Sequence, residues 1–230
     1  MKDLPRRTLT AFIYGGAVLV GISAPPVAFW IVLGIAGVIG LRELLVLRAG
    51  RPSIALAVVF FSGLASLGAL REFGANGARH GTPEWVPVSL LLVILPTWSA
   101  DIAAYLVGST IGRRRLAPRI SPGKTWEGTI AGFAAAALVA VGVAMMFGLA
   151  RTPVTLIAIG LGPVGLAGDL LESYVKRRAG VKDSGVLLPG HGGVLDRLDS
   201  LTAAAMFALV VGVAFGLSQL GSEGGLYDRF

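Results

Sequence analysis

Seven separate stretches of this chain are each long and apolar enough to cross a bilayer as a helix, and that recurrence limits the fold more than any other feature. A hydrocarbon core about 30 Å thick takes about 20 apolar residues at helical rise. The runs near 8–25, 27–47, 53–70, 87–108, 128–149, 153–175 and 200–219 all come close to or exceed that length. The expected fold class is an all-α polytopic integral membrane protein of about seven transmembrane helices. Composition agrees: 54% hydrophobic and 14% charged residues leave too little polar surface to coat a soluble globule of 230 residues. The first run follows Lys2, Arg6 and Arg7 and has the look of a signal peptide, but Pro25-Pro26 leads straight into another apolar run. It is therefore read as a membrane helix. The absence of cysteine excludes disulfides, cysteine-ligated zinc and thiol catalysis.

A net charge of +7 would suggest nucleic acid in a soluble protein, but in a membrane protein it first reports topology and anionic lipid. No nucleic-acid partner is expected. With the N-terminus in the cytoplasm, fifteen lysines and arginines fall on the inner side, in the groups 2–7, 48–51, 113–124 and 176–197. Four fall outside: Arg71, Arg79, Arg151 and Arg229. That asymmetry implies a multi-pass protein of the cell inner (cytoplasmic) membrane with its C-terminus outside. Residues 1–86 hold about three spans and an outer loop of mixed charge near 71–86, a plain solvated connector. Residues 87–230 hold the remaining spans and the two long inner loops, near 109–127 and 176–199, where chemistry is expected. No internal repeat is evident, and the Ala/Gly-rich run 131–149 reads as close helix packing.

Ionisable groups at membrane depth cost roughly 2.5 kcal/mol or more on insertion scales, so each asks for a partner, a metal or a water-filled cavity. Glu43, beside Arg42 near the cytoplasmic end of its span, is accounted for by snorkelling. Asp101, two turns before Gly108, points to a polar cavity facing the cytoplasm. In the sixth span Asp169, Glu172, Ser173 and Lys176 fall at i, i+3, i+4 and i+7 and share one helix face. Two carboxylates and a hydroxyl are hard oxygen ligands suited to Mg²⁺, and a lysine one turn further suits a phosphate oxygen.

Beyond that helix come Lys182-Asp183-Ser184-Gly185, Pro189-Gly190-His191-Gly192-Gly193 and Asp196-Arg197-Leu198-Asp199-Ser200. Glycines let a backbone turn tightly and aim N–H groups at an anion. Asp196 can add a metal carboxylate, and His191 is a candidate contact for phosphate or base. A helix cap is an equal alternative for Asp199 or Ser200 at the start of the last helix. In the preceding inner loop, Arg113-Arg114-Arg115 can attract anionic headgroups. Ser121-Pro122-Gly123-Lys124-Thr125 lacks Walker A spacing but offers a lysine, hydroxyls and backbone donors at a helix start.

Ser173-Tyr174-Val175-Lys176-Arg177, Lys182 to Gly185, Leu188 to Gly193 and Asp196-Arg197-Leu198-Asp199 together resemble the signature of phosphatidate cytidylyltransferases, also called CDP-diacylglycerol synthases. Gly168-Asp169, Ser121 to Gly128 and Asp101 to Tyr105 resemble other motifs of that family, so the likeness covers about residues 95–200. Gly123 departs from it, standing where the family commonly has a lysine, and the N-terminal half is short. The resemblance implies attack of the phosphatidic acid phosphate on the α-phosphorus of CTP, with release of pyrophosphate. On this reading Asp169 and Asp196 hold Mg²⁺, assisted by Glu172 or Ser173, and a second cation is compatible. Lys124, Lys176, Arg177, Lys182 and Arg197 would clamp the phosphates. Asp101, Ser121, Thr125, Asp183, His191, Gly192, Gly193 and Asp199 complete the expected substrate contacts. The expected partners are CTP, phosphatidic acid and membrane lipid, and the family makes a homodimer reasonable.

Two other readings compete. A transporter would use Gly162-Pro163 as a helix break in the sixth span, but would not need a basic, glycine-rich inner loop after the acids. A CTP-dependent lipid kinase would release CDP rather than pyrophosphate.

Overall fold

The computed structural model describes residues 25–47, 49–74, 86–149, 151–185 and 192–215. Six helices in that portion are long and apolar enough to cross a membrane. They are α1 (Pro26–Leu47), α2 (Arg51–Gly74), α3 (Val88–Thr110), α4 (Trp126–Phe147), α5 (Arg151–Arg178) and α6 (Leu195–Ala214). They match six of the seven expected spans; the run near 8–25 lies outside the described residues, as do Arg48, His191 and most of the outer loop.

One departure from an all-α fold joins α3 to α4. Strands β1 (Arg115–Ala117) and β2 (Ser121–Thr125) pair antiparallel, Arg115 with Thr125 and Ala117 with Ser121. The chain reverses at Pro118-Arg119-Ile120, where Ile120 N donates to Ala117 O at 3.1 Å. Two short polar strands can satisfy each other's backbone groups where the loop leaves the bundle, so the connection needs no helix. Thr125 ends the hairpin and caps α4: its Oγ1 accepts from Gly128 N at 3.2 Å.

Small residues set how closely the helices approach. A Cβ on Gly132 would lie 2.9 Å from Ala100 O and 3.2 Å from Ala104 Cβ, so α4 packs almost backbone to backbone on α3. Ala136 and Ala140, on the same side of α4, are fully buried, whereas a Cβ on Gly142 would meet open space. The close packing expected of the 131–149 run is thus confined to one stripe. Gly63 of α2 lies against Thr202 of α6, and Gly40 of α1 against the ring of Phe60. Near the other end of α1, Trp30 Nε1 donates to Glu72 at 3.0 Å, and the Arg71 guanidinium sits 5.1 Å over the Phe29 ring. The outward faces of α1 and α4 carry Val27, Ile31, Ile35, Leu138 and Met145, all exposed, as a lipid-facing surface requires.

Helix α5 lacks the break that a transporter would have used at Gly162-Pro163. It runs without interruption through Pro163 for 28 residues. Gly162 serves packing instead, since a Cβ there would lie 2.7 Å from Phe133 Cδ1 of α4. At 1.5 Å per residue α5 is about 42 Å long and exceeds the hydrocarbon core, so its basic end, Lys176, Arg177 and Arg178, projects past it.

Gly132→Val should lower the stability of the detergent-solubilised protein by about 1–3 kcal/mol, because the added methyls have no room between α4 and α3. Gly142→Ala should not lower it. Thermal unfolding of the two variants beside wild type checks the contrast.

Candidate active site

Helix α5 presents one polar face along its second half, and partners for it arrive from three directions. Asp169 is reached from the hairpin, where Lys124 Nζ forms an ion pair with its Oδ2. Its other oxygen, Oδ1, accepts from Ser173 Oγ one turn later, at 3.3 Å. Arg177 fastens the same hairpin to the end of α5, donating from Nε to Ile120 O at 3.2 Å. Lys176 turns instead toward α6, pairing with Asp196 Oδ1 and standing 3.4 Å from Glu172 Oε2. Glu172 and Lys176 thus form an i, i+4 ion pair, but Asp196 shares its lysine.

Asp196 is saturated. Its Oδ2 accepts from Gly193 N at 2.7 Å and from both Ser184 N and Ser184 Oγ at 2.9 Å. A carboxylate so placed ties the segment after α5 to the start of α6. Glu172 is the opposite case: fully buried, with neither oxygen hydrogen-bonded among the described residues. The carboxyl of Asp199 adjoins it, and Asp169 and Asp101 add further negative charge around Asp199. Asp101, on α3, is exposed and lies 3.4 Å from Ser200 Oγ of α6. Among the described residues no three acidic or histidine side chains converge as a ready-made metal-ligand set.

Of the glycine-rich loop read in the sequence as an anion cradle, Gly192 and Gly193 are described, and the anions met at this end are side chains. The amide of Gly193 is taken by Asp196, and those of Val194 and Leu195 by Glu43 Oε1 and Oε2, each at 2.9 Å. Glu43 also accepts from Ser184 Oγ at 3.0 Å. It is buried, so the snorkelling account beside Arg42 is replaced by a structural one: a carboxylate of α1 fills the N-terminus of α6. The glycines are there for closeness to acids. A Cβ on Gly185 would sit 2.7 Å from Glu43 Oε1; one on Gly193 would collide with Glu43 and Ser184; and Gly192, at φ +79°, lies against Asp196. Spacing alone gave no sign of Glu43, because its partners are about 150 positions away; burial cost without a cation was the available signal.

Other expected residues fall into place around this core. Helix α6 starts at Leu195, earlier than expected, so Asp199 and Ser200 lie in its second turn and do not cap it. Asp199 Oδ1 accepts from Ser200 N at 2.6 Å. Thr125 is buried in its capping role, Ser121 is half-buried at the start of β2, and Lys182, Asp183 and Arg197 are exposed. Glu127 takes the amides of Arg113 and Arg114 at 3.2–3.3 Å, while at the start of α4 Trp126 N donates to Arg114 O and Gly128 N to Thr125 Oγ1, leaving fewer backbone donors there than the sequence suggested.

Lysines alternating with carboxylates at a helix-bundle end suit the handling of phosphate groups, and comparison with known proteins gives that chemistry a family. The sequence pattern of the cytidylyltransferase family matches residues 80–215. The chain belongs to the cytidylyltransferase family. Among curated relatives, a phosphatidate cytidylyltransferase of Brucella suis biovar 1 is 44% identical over 170 residues, 72% of this chain and 58% of that protein. One from Haemophilus influenzae is 46% identical over 129 residues, 51% of this chain and 43% of the relative. One from Synechocystis is 48% identical over 136 residues, 56% of this chain and 46% of the relative. The chain thus spans about half the length of the curated relatives it matches. The match to the cytidylyltransferase family takes in Lys124, Asp169, Glu172, Lys176 and Asp196 but not Glu43.

Asp196→Ala should cost about 3–5 kcal/mol, because it leaves Lys176 without its closest counter-charge and strips three donors of their acceptor. Asp183→Ala, at an exposed position on the same segment, should leave the melting temperature unchanged. Thermal unfolding in detergent compares the two.

Proposed function

We propose that the chain transfers the cytidylyl group of CTP to phosphatidic acid, giving CDP-diacylglycerol and pyrophosphate at the cytoplasmic face of the inner membrane. One observation carries the reading: Lys124 and Lys176 are each held by a carboxylate, Asp169 and Asp196, at one end of an apolar bundle. The names of the similar phosphatidate cytidylyltransferases support the substrates.

A phosphate oxygen of phosphatidic acid forms a bond to the α-phosphorus of CTP as the bond from that phosphorus to the bridging oxygen breaks, and the electron pair leaves with pyrophosphate. A phosphate dianion needs no general base. The protein's task is to bring two anions together in line and to neutralise their repulsion. Lys124 and Lys176 would exchange part of their carboxylate contact for phosphate oxygens, their ammonium groups already held where the anions arrive. Arg177, Lys182 and Arg197, exposed around them, would gather the rest of the triphosphate and the lipid headgroup. Gly123 takes nothing from this clamp by crowding, since a Cβ there would meet open space.

The oxygen donors on this face suit Mg²⁺ by their chemistry, although no three acids among the described residues already converge on one point. Glu172 has two buried oxygens without a hydrogen bond among the described residues, Asp199 adjoins it, and Asp169 and Ser173 continue the same face. Those residues would hold the ion, which when bound would supply charge neutralisation on the phosphates and on the leaving pyrophosphate. Asp196, with its oxygens committed to Lys176, Ser184 and Gly193, would position rather than ligate.

The acyl chains would enter sideways past the exposed apolar residues of α3 and α4, including Ile102, Tyr105 and Ile130, while CTP would enter a polar cavity from the cytoplasm. The exposed face of α1 leaves room for acyl chains or for a second copy in a homodimer.

Purified protein given phosphatidic acid, CTP and Mg²⁺ should release CDP-diacylglycerol and pyrophosphate in equal amounts. Asp169→Asn and Lys124→Met should each lower kcat about 100-fold or more while the protein stays folded. Release of CDP in place of pyrophosphate would make it a lipid kinase, and no consumption of CTP would end the enzyme reading. The orientation has its own test. The natural chain lacks cysteine, so Gly123→Cys carries a single thiol in the hairpin. An impermeant maleimide should label it in inside-out vesicles and not in intact cells.

A further inference from the structure

Glu43 lies in α1, far in sequence from every residue proposed to touch substrate, yet it takes two amides at the start of α6, next to the one that Asp196 takes. Its two oxygens accept from Val194 N, Leu195 N and Ser184 Oγ at 2.9–3.0 Å. These are neutral donors at the positive end of a helix, so the charge is stabilised without a cation. The single proton of that hydroxyl is shared between Glu43 and Asp196, the Ser184 amide donates to Asp196 outright, and Asp196 pairs with Lys176. The contacts form one continuous series: Glu43, Ser184, Asp196, Lys176, Glu172.

We infer that Glu43 is a positioning residue for the transfer reaction, fixing the junction of the glycine loop and α6 so that Asp196 holds Lys176 toward the phosphates. The inference rests on the cytidylyl-transfer reading for its kinetic arm. It assigns a function to the N-terminal helices that a membrane anchor would not have. Glycines at 185 and 193 support it, because each is placed where any side chain would strike the Glu43 carboxylate. A residue kept only to satisfy a helix end would not require two segments to close over it, nor share a serine with the acid that pairs with the catalytic lysine.

The test compares Glu43→Gln and Glu43→Ala with wild type, and with Glu72→Gln, an exposed acid on the next helix that serves as control. Assays are run well below the melting temperature of each variant, and rates are normalised to folded protein. Glu43→Gln keeps the shape and one acceptor oxygen but places an amide group against backbone donors. It should lower kcat about 10- to 100-fold with both KM values within about threefold, because misplacement near 1 Å is felt mainly in the transition state. Glu43→Ala should lose at least as much, and Glu72→Gln should match wild type. Ser184→Ala combined with Glu43→Gln should cost no more than the larger single change, since both act through Asp196.

A purely structural role predicts a lower melting temperature with unchanged kcat per folded molecule, and that result overturns the proposal. So would a rise in KM alone, or full multiplicative losses in the double variant. If wild type shows no turnover, the reaction reading fails separately, and amide hydrogen exchange decides the positioning claim. Exchange at residues 193–195 should quicken in Glu43→Gln, and exchange equal to wild type would overturn it. Should Glu43→Ala fail to fold, the Gln variant and the double-variant comparison carry the test.

Discussion

Everything at the polar end of this bundle depends on carboxylates finding donors where water is scarce. A helix beginning near a membrane surface has amides that no earlier turn can satisfy. Here α6 meets that need with acids from two places: Asp196 from its own first turn and Glu43 from α1. The arrangement settles both costs together, since a buried carboxylate and a bare helix N-terminus each need the other. It also makes the start of α6 a junction between the N-terminal helices and the face of α5 that carries Asp169, Glu172 and Lys176.

That junction changes what the glycine-rich loop is for. Glycines followed by a helix start invite comparison with phosphate-binding loops, where bare amides meet an anion. In this protein the amides of residues 193–195 already have their anions, and these are side chains. At Gly185, Gly192 and Gly193 the chain forms a clasp, because glycine permits close approach to Glu43 and Asp196. On the proposed function, side-chain cations have an advantage over these amides, since they can leave a carboxylate for a phosphate without unfolding a helix end. Lys124 and Lys176 are poised in that way, each held by an acid on a separate element.

Much of this was legible in the sequence, for physical reasons that differ by element. The described spans could be read because the bilayer demands about 20 apolar residues in each, a signal that survives errors of several residues at the ends. The face Asp169, Glu172, Ser173, Lys176 could be read because helical periodicity is local. What escaped depends on contacts between distant segments or on competition for one group. Glu43 looked like a snorkelling acid since its donors lie about 150 residues away. Asp199 looked like a cap because α6 starts one turn earlier than its apolar run, at Leu195, where Asp196 and Glu43 make a start possible. The β1–β2 hairpin was missed because its strands are short, polar and contain Pro122, which no apolar alternation marks.

The same logic bears on why the site sits on α5. A helix of 28 residues is longer than the membrane core requires, so its last turns can carry charge while its middle remains in lipid. Asp169 and Glu172 occupy the boundary between those regimes, deep enough to be shielded and near enough to the basic end to be compensated. The hairpin closes one side of that boundary through Lys124 and Arg177, and the clasp closes the other through Asp196. On the proposed function, an anionic headgroup arriving from the leaflet and a nucleotide arriving from water would meet between these two structures, both fastened to α5. The proposed reaction between a lipid and a soluble substrate would need such a boundary, and in this chain the over-long helix forms one.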